Sequence, residues 1–379
     1  MRKKVIILGL VVVLSFLMQF TLLNTDANTE LAEVREKQND WAGSKEPSQQ
    51  EVKAFQFLQL KMQNSEGIIP YLVNKGSGDK YGVSESVGQA MEYAALLGDN
   101  ALFAKYASIA DRYFKAPAGY YYWKIDIASK KGETSSALVD DLRIAKAYLL
   151  ANEKNPGEYS EQIKKIADLI YEFDVDSKKG YPCDYYDGAS QKQANEVSLF
   201  YLDVETMKKL SEVSPKWSVP YDKAVQILWN MPVNEYGFFP QTFKMNSREY
   251  VWPVSINMVE NLYTAMDAHY AGKSTAALVT FLRKQVKKGK IYNHYNLDGT
   301  PAGEDESTAV YALATRFLAM NNEKKASDWC YQRTLDFKIS DGEAFAGGFG
   351  EPETGLVYAF DQLEALLMLR MVEAQNDSQ

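Results

Sequence analysis

Five carboxylates in this chain stand where acid–base chemistry could be done. Glu85 lies between two serines in VSESVGQAM, residues 83–91, at the predicted start of a helix. Asp140 and Asp141 are adjacent in SSALVDDLRIAKAYLLA, near the start of another helix. Glu249 closes a long polar stretch in SREYVWPVSINMVENLYTA, and Glu260 follows inside the apolar-periodic part of the same segment. Each has an ordinary structural reading. A first-turn acid such as Glu85 complements the helix dipole, with Ser84 available as N-cap. Two neighbouring aspartates point in different directions, so at most one of Asp140 and Asp141 faces a shared axis, and a buried Glu260 would need a partner. The chemical reading is glycosidic-bond hydrolysis. It requires one carboxyl kept protonated as general acid and a second that, in inverting enzymes, sits roughly 6.5–9.5 Å away and activates water. Asp305, Glu306 and Asp361 are weaker candidates near later helix starts.

Composition narrows the alternatives. The 379 residues include 25 tyrosines but only 2 histidines, which argues against multi-histidine catalysis or a metal site and leaves carboxylates for proton transfer; no metal or cofactor is expected. A net charge of −8 opposes a nucleic-acid partner, whose phosphates the average field would repel. Cys183 and Cys330 form no CxxC pattern and are either one long-range disulfide or two buried thiols.

The elements that position these residues are helical. Apolar spacing of i, i+3/i+4 from residue 48 onward predicts helices at 48–63, 84–97, 100–114, 135–150, 158–173, 195–213, 217–230, 254–270, 274–287, 306–320, 322–337 and 355–373. Links after the even-numbered helices are short turns such as GDN, SPK and AGK. Those after the odd-numbered ones are long and rich in aromatics, Gly, Asp, Asn and Glu. With consecutive helices antiparallel, every long link falls at one end. The expected fold is therefore all-α, an (α/α)6 toroid of six hairpins with one decorated end. A solenoid would show more uniform loops and a repeated motif, and neither is seen. Aromatic rings at the decorated end, among them Tyr121, Tyr122, Trp123, Tyr185, Tyr186, Phe239, Tyr250, Trp252 and Tyr292, would stack on sugar faces.

The first residues carry an address. Arg2, Lys3 and Lys4 precede an apolar run from Val5 to Leu23, so residues 1–24 read as a signal peptide or membrane anchor that places the rest outside the membrane. Residues 25–47 read as a polar linker and 48–379 as the toroid.

VSESVGQAM resembles the SEGQxYGM segment of glycoside hydrolase family 8, whose glutamate is the general acid; Val83, Ser84, Glu85 and Met91 match, and the interior differs. ALVDDLRIAKAYLLA resembles that family's ATDADxDIAxALLLA, with Ala137, Asp141, Ile144, Ala145, Ala147, Leu149 and Ala151 in register. The family aspartate that sits at the sugar whose bond is cleaved falls on Val139, making Asp140 the stand-in. EVSLFYLDVETMKKLSEVSPKW is similar to NPSYFAPAxYRxFAxxxGDxxW, and GFFPQTF to GLLPDW. The family's base, in a YDAIRVP-like segment, aligns with Glu249 when SREYVWPV is placed beneath it. Aligning from AMDAHYAGK instead puts Ile256 there and Glu260 one turn deeper; Glu249 ranks first. The closing GGFGEPETGLVYAFDQLEALL is similar to a divergent bacterial branch that accompanies exopolysaccharide synthesis systems under cyclic-di-GMP control. The resemblance implies an extracytoplasmic, cofactor-free, endo-acting inverting hydrolase of a secreted polysaccharide. In it Glu85 is the acid, Asp140 or Asp141 holds the distorted sugar, and Glu249 or Glu260 is the base. The alternative is a non-catalytic glycan-binding or export-assisting partner of the synthesis machinery. A polysaccharide lyase fits less well, since no conspicuous Arg/His cluster is present.

Overall fold

The computed structural model describes residues 46–375. The expected signal or anchor segment and nearly all of the linker lie outside the described residues. Among those described, no helix is long and apolar enough to cross a membrane.

Among the described residues there are twelve α-helices: α1 Gln49–Phe57, α2 Ser84–Leu97, α3 Asn100–Ile109, α4 Leu138–Lys154, α5 Ser160–Asp174, α6 Val204–Val213, α7 Ser218–Asn230, α8 Met258–Tyr270, α9 Ala276–Lys288, α10 Thr308–Met320, α11 Lys324–Asp336 and α12 Ala359–Gln375. A single π turn extends α1 to Met62 and α3 to Phe114. The helices differ in kind. The even-numbered α2 and α10 are buried nearly all round, α10 mostly with apolar residues and α2 with Ser86, Gln89 and Glu92 among its apolar ones. The odd-numbered α5 buries one stripe, including Ile163, Ile166, Ala167 and Ile170. A helix apolar on every side must sit inside, and an amphipathic one outside. The contacts follow suit: α2, α4, α6, α8, α10 and α12 touch in that order, and α12 returns to α2, closing an inner ring. The structure is thus the six-hairpin (α/α)6 toroid. Small residues bring the inner helices close: a Cβ on Gly88 of α2 would come within 3.2 Å of the Arg143 side chain on α4.

Short links are tight turns. Gly98 closes α2 at φ +79°, a left-handed position that favours glycine, and the Asp99 side chain caps α3. Long links are edged by small strands that stitch neighbouring loops together. These are β1 Leu72–Val73, β2 Tyr81–Val83, β3 Lys124–Asp126, β4 Tyr186–Asp187, β5 Lys192–Gln193, β6 Glu196–Ser198, β7 Thr242–Lys244, β8 Glu249–Val251, β9 Ile256–Asn257, β10 His294–Tyr295 and β11 Val357–Tyr358. Strand β2 pairs with β3, β6 with β7, β9 with β10, and β1 of the first loop with β11 of the last, all antiparallel.

Three expected helices begin four or more residues late, one of them the helix predicted from 355, which gives Val357–Tyr358 to β11 before α12 starts at Ala359. The segment predicted as 195–213 opens with β6 and a 3-10 turn at Leu199–Tyr201, and α6 starts only where the Asp203 carboxylate accepts the Thr206 N–H. The segment predicted from 254 gives its first residues to β9, and Asn257 caps α8. In all three cases a cross-loop ladder outcompetes the helical register. Cys183 and Cys330 are separate buried thiols.

Candidate active site

Glu85 sits in the first turn of α2, at the strand-edged end. Ser84 does not cap the helix as expected; the residue at that place is Val83, whose side chain makes no capping bond. The Ser84 hydroxyl instead donates to Asp140 Oδ2 at 2.7 Å, and the Glu85 backbone N–H donates to the same carboxylate. Asp140, in the first turn of α4, thereby ties its helix to the start of α2. Beneath Glu85, Arg143 Nη2 lies 3.8 Å from Oε1. Arg143 in turn is held by Glu364 of α12, which is fully buried and also bonded to Gln89 at 2.7 Å, Arg316 at 2.9 Å and the Tyr263 hydroxyl.

Burial pushes the Glu85 carboxyl up to about 8, against the pull of Arg143; nearby Asp140 and Glu364 add to the rise. The helix dipole opposes this with only about 0.3–1 kcal/mol, too little to restore the charge. Burial also raises Asp140, to about 6, with the Ser84 hydrogen bond holding it down. The two carboxyls are therefore unlike: Glu85 keeps its proton at neutral pH while Asp140 ionises first.

Asp141 points elsewhere, as one of an adjacent pair must. It is fully buried, and its side-chain partner is another carboxyl. Its neighbour is Asp174 at the end of α5, which accepts from Ser136 Oγ at 2.6 Å. Burial and the Asp174 charge hold Asp141 well above the usual carboxylate range, whereas Ser136 helps hold Asp174 near 6. The pair shares a proton, carried by Asp141, and joins α4 to α5 away from Glu85.

Tyr201, on the 3-10 turn before α6, was not apparent in the sequence. Its hydroxyl feels the charges of Asp140, Asp184, Glu85 and Glu260, which with burial push it upward. This locates Glu260 on the same side of the toroid as Glu85. Glu260 is half-buried in the first turn of α8; Gln241 Nε2 donates to its Oε2 at 2.9 Å, and burial raises its carboxyl. Glu249, ranked first as base, is exposed on β8 opposite Lys244, and no described contact joins it to Glu85, Asp140 or Tyr201. The strand pairing carries residue 249 out to the edge of a hairpin, whereas Glu260 joins the group around Tyr201. Asp184, also unforeseen, is raised to about 6 by burial and accepts from the Ser198 hydroxyl at 2.9 Å. Glu306 is bound by Tyr311, Lys290 and Arg333, while Asp361 accepts the Ala309 N–H at 2.7 Å.

The aromatic candidates divide. Tyr121 is buried and donates to Asp111 at 2.6 Å, Tyr250 donates to the Ile227 carbonyl, and Tyr186 and Tyr122 pack on Tyr120. Their hydroxyls or ring edges are thus engaged in holding the loops together. Phe239 is buried beside Glu260. Tyr185 is exposed; Trp123, Trp252 and Tyr292 are half-buried. Tyr71, which also feels the Glu85 charge, is exposed and stands edge-on to Tyr358.

No family model matches the chain. A curated protein described as a putative lipoprotein, YdaJ of Bacillus subtilis, is 26% identical over 326 residues, covering 84% of this chain and 86% of its own. Among solved structures, an α-amylase from Clostridium perfringens superposes with a TM-score of 0.78 at 24% identity, covering 87% of this chain and 99% of that one. PssZ from Listeria monocytogenes gives 0.69 at 24% identity, covering 86% and 96%. The family 8 glycosyl hydrolase Cel10 of Klebsiella pneumoniae gives 0.61 at 14% identity, covering 86% and 99%. The fold is that of the all-α six-hairpin glycosidases. D-mannose isomerase shares it as well, with a TM-score of 0.64 at 12% identity, so the fold alone does not set the chemistry.

Proposed function

We propose that the protein is a glycoside hydrolase that cleaves a secreted polysaccharide within the chain, by inversion, outside the cell membrane. The observation that carries this reading is the proton-holding Glu85, grouped around Tyr201 with Asp140 and Glu260 at the strand-edged end. Glu85 protonates the leaving oxygen. Arg143 anchors it from below and, through its charge, keeps the proton mobile. Asp140, fixed by Ser84, accepts a sugar hydroxyl at the cleaved residue. Glu260, oriented by Gln241, activates water. The partly exposed rings of Tyr71, Trp123, Tyr185, Trp252 and Tyr292 hold neighbouring sugars. The lipoprotein description of YdaJ supports an extracytoplasmic site, and the amylase and glycosyl hydrolase among the structural neighbours support hydrolysis of a glycan.

The experiment is release of reducing ends from purified bacterial exopolysaccharides and from α- and β-glucans. Wild type and Glu249→Gln should release them equally, and Glu260→Gln should lose roughly a hundred- to ten-thousand-fold. A glycan bound by the folded wild type without any reducing ends would replace this reading with the non-catalytic one. An inactive Glu249→Gln beside an active Glu260→Gln would return the base to Glu249.

A further inference from the structure

The toroid has a second opening. A cavity of about 380 Å³ enters it from the end opposite the strand-edged rim. Every inner helix reaches its wall: Leu96 of α2, Leu150 of α4, Glu205 of α6, Tyr270 of α8, Met320 of α10 and Met371 of α12. All six are partly exposed, and all but Glu205 lie toward the C-terminal ends of their helices, so they form a largely apolar mouth. The floor is Arg143 and Arg316, both engaged by Glu364. Glu85 does not line this cavity; Arg143, 3.8 Å from Glu85, lies between the cavity and the candidate active site.

Between mouth and floor the charges do not balance. The two arginines are taken by Glu364, and the remaining cation on the wall is Lys146, paired with Glu92 at 2.9 Å. Three more acids share the wall. Asp203 spends its oxygens on capping α6, through the Thr206 N–H at 2.9 Å and hydroxyl at 2.7 Å. Glu205 lies 3.8 Å from Lys209 at the mouth, beside the Tyr270 hydroxyl. Asp267 is 8% exposed, accepts the Val204 N–H, and belongs to no ion pair among the described residues. A carboxyl so placed ionises readily only when a cation arrives to face it.

We propose that this cavity is a second binding site, for a small organic ammonium ion bearing an apolar chain or ring, with Asp267 as its counter-ion. The ammonium head replaces the carboxyl proton of Asp267, which leaves to solvent, and the hydrocarbon body lies against Leu96, Leu150, Met266 and Met320. Burial and the neighbouring Asp203 keep Asp267 protonated until then, with Lys146 opposing them in part. The site is independent of the hydrolase reading.

Calorimetric titration of the full-length protein with n-hexylamine and n-hexanol tests it, at slightly acid pH and in two buffers of different ionisation enthalpy. Hexylamine should bind one to one with release of about one proton, and hexanol should bind roughly tenfold more weakly or worse. Asp267→Asn should abolish the proton release and weaken hexylamine by a similar factor while leaving hexanol unchanged. Met320→Trp, which fills the mouth, should weaken both. No hexylamine binding by the folded wild type, equal affinity for hexanol, or unaltered proton release in Asp267→Asn would overturn the proposal.

Discussion

Glu85 holds its proton because burial outweighs every force that would ionise it, and Arg143 sets how firmly. Removing that cation should push the carboxyl above about 8. The prediction is that Arg143→Met moves the alkaline limb of the kcat/KM profile to higher pH, whereas in the wild type activity falls about tenfold per pH unit above that value. A limb that stays in place would mean that Glu85 is not the titrating acid. Glu85 itself was legible in the sequence, since a first-turn acid at a loop-rich end is a short list. Its setting was not: Arg143 is 58 positions away and Glu364 is 279 away, as their residue numbers give. No local pattern ties either to Glu85. Tyr201 was hidden for a related reason, because its segment carries helical periodicity while cross-loop pairing makes it a turn.

At the scale of elements, α4 is clamped on both sides, by Asp140 to α2 and by Asp141 to α5. The second clamp is a shared proton, and its pH dependence has a definite sign. Carboxyls held above their unfolded values make the native state keep protons that the unfolded chain gives up. Stability is thus greatest below the unfolded Asp value and declines as pH rises through the folded ones, near 6 for Asp174 and higher for Asp141. Asp141→Asn supplies a permanent donor to Asp174. It should flatten the decline, measured as urea-unfolding free energy between mildly acid and mildly alkaline pH. Asp141→Ala removes the donor and should cost about 1–3 kcal/mol. A decline as steep in Asp141→Asn as in the wild type would place the proton elsewhere. The aspartate pair was visible in the sequence, and its division of labour followed from helix geometry. Which member faced Glu85 required the neighbouring helices.

At the scale of the molecule, the ring must be closed by its ends. Hairpin α1–α2 meets α12 through Glu51, which takes both Arg370 Nε and Nη2 at 2.8 Å and the Tyr93 hydroxyl at 2.9 Å, all buried. Breaking such a pair strands a charge, so Arg370→Met should cost about 3–5 kcal/mol in urea unfolding; a loss below about 1 kcal/mol would show that the seam is held by apolar packing alone. The hairpin count and the single decorated end were readable from alternating link lengths, because a short link forces antiparallel neighbours. The strands that stitch the rim were not, since runs of two or three residues carry too little alternation to register.

The most direct test of the proposed chemistry is the turnover of Glu85→Gln on the polysaccharide that the wild type cleaves, beside its turnover on an aryl glycoside of the same sugar whose leaving group needs no proton. A folded variant should lose roughly a hundred- to ten-thousand-fold on the polysaccharide and far less on the aryl glycoside. Wild-type turnover of the polysaccharide by folded Glu85→Gln would contradict the assignment of Glu85 as the acid.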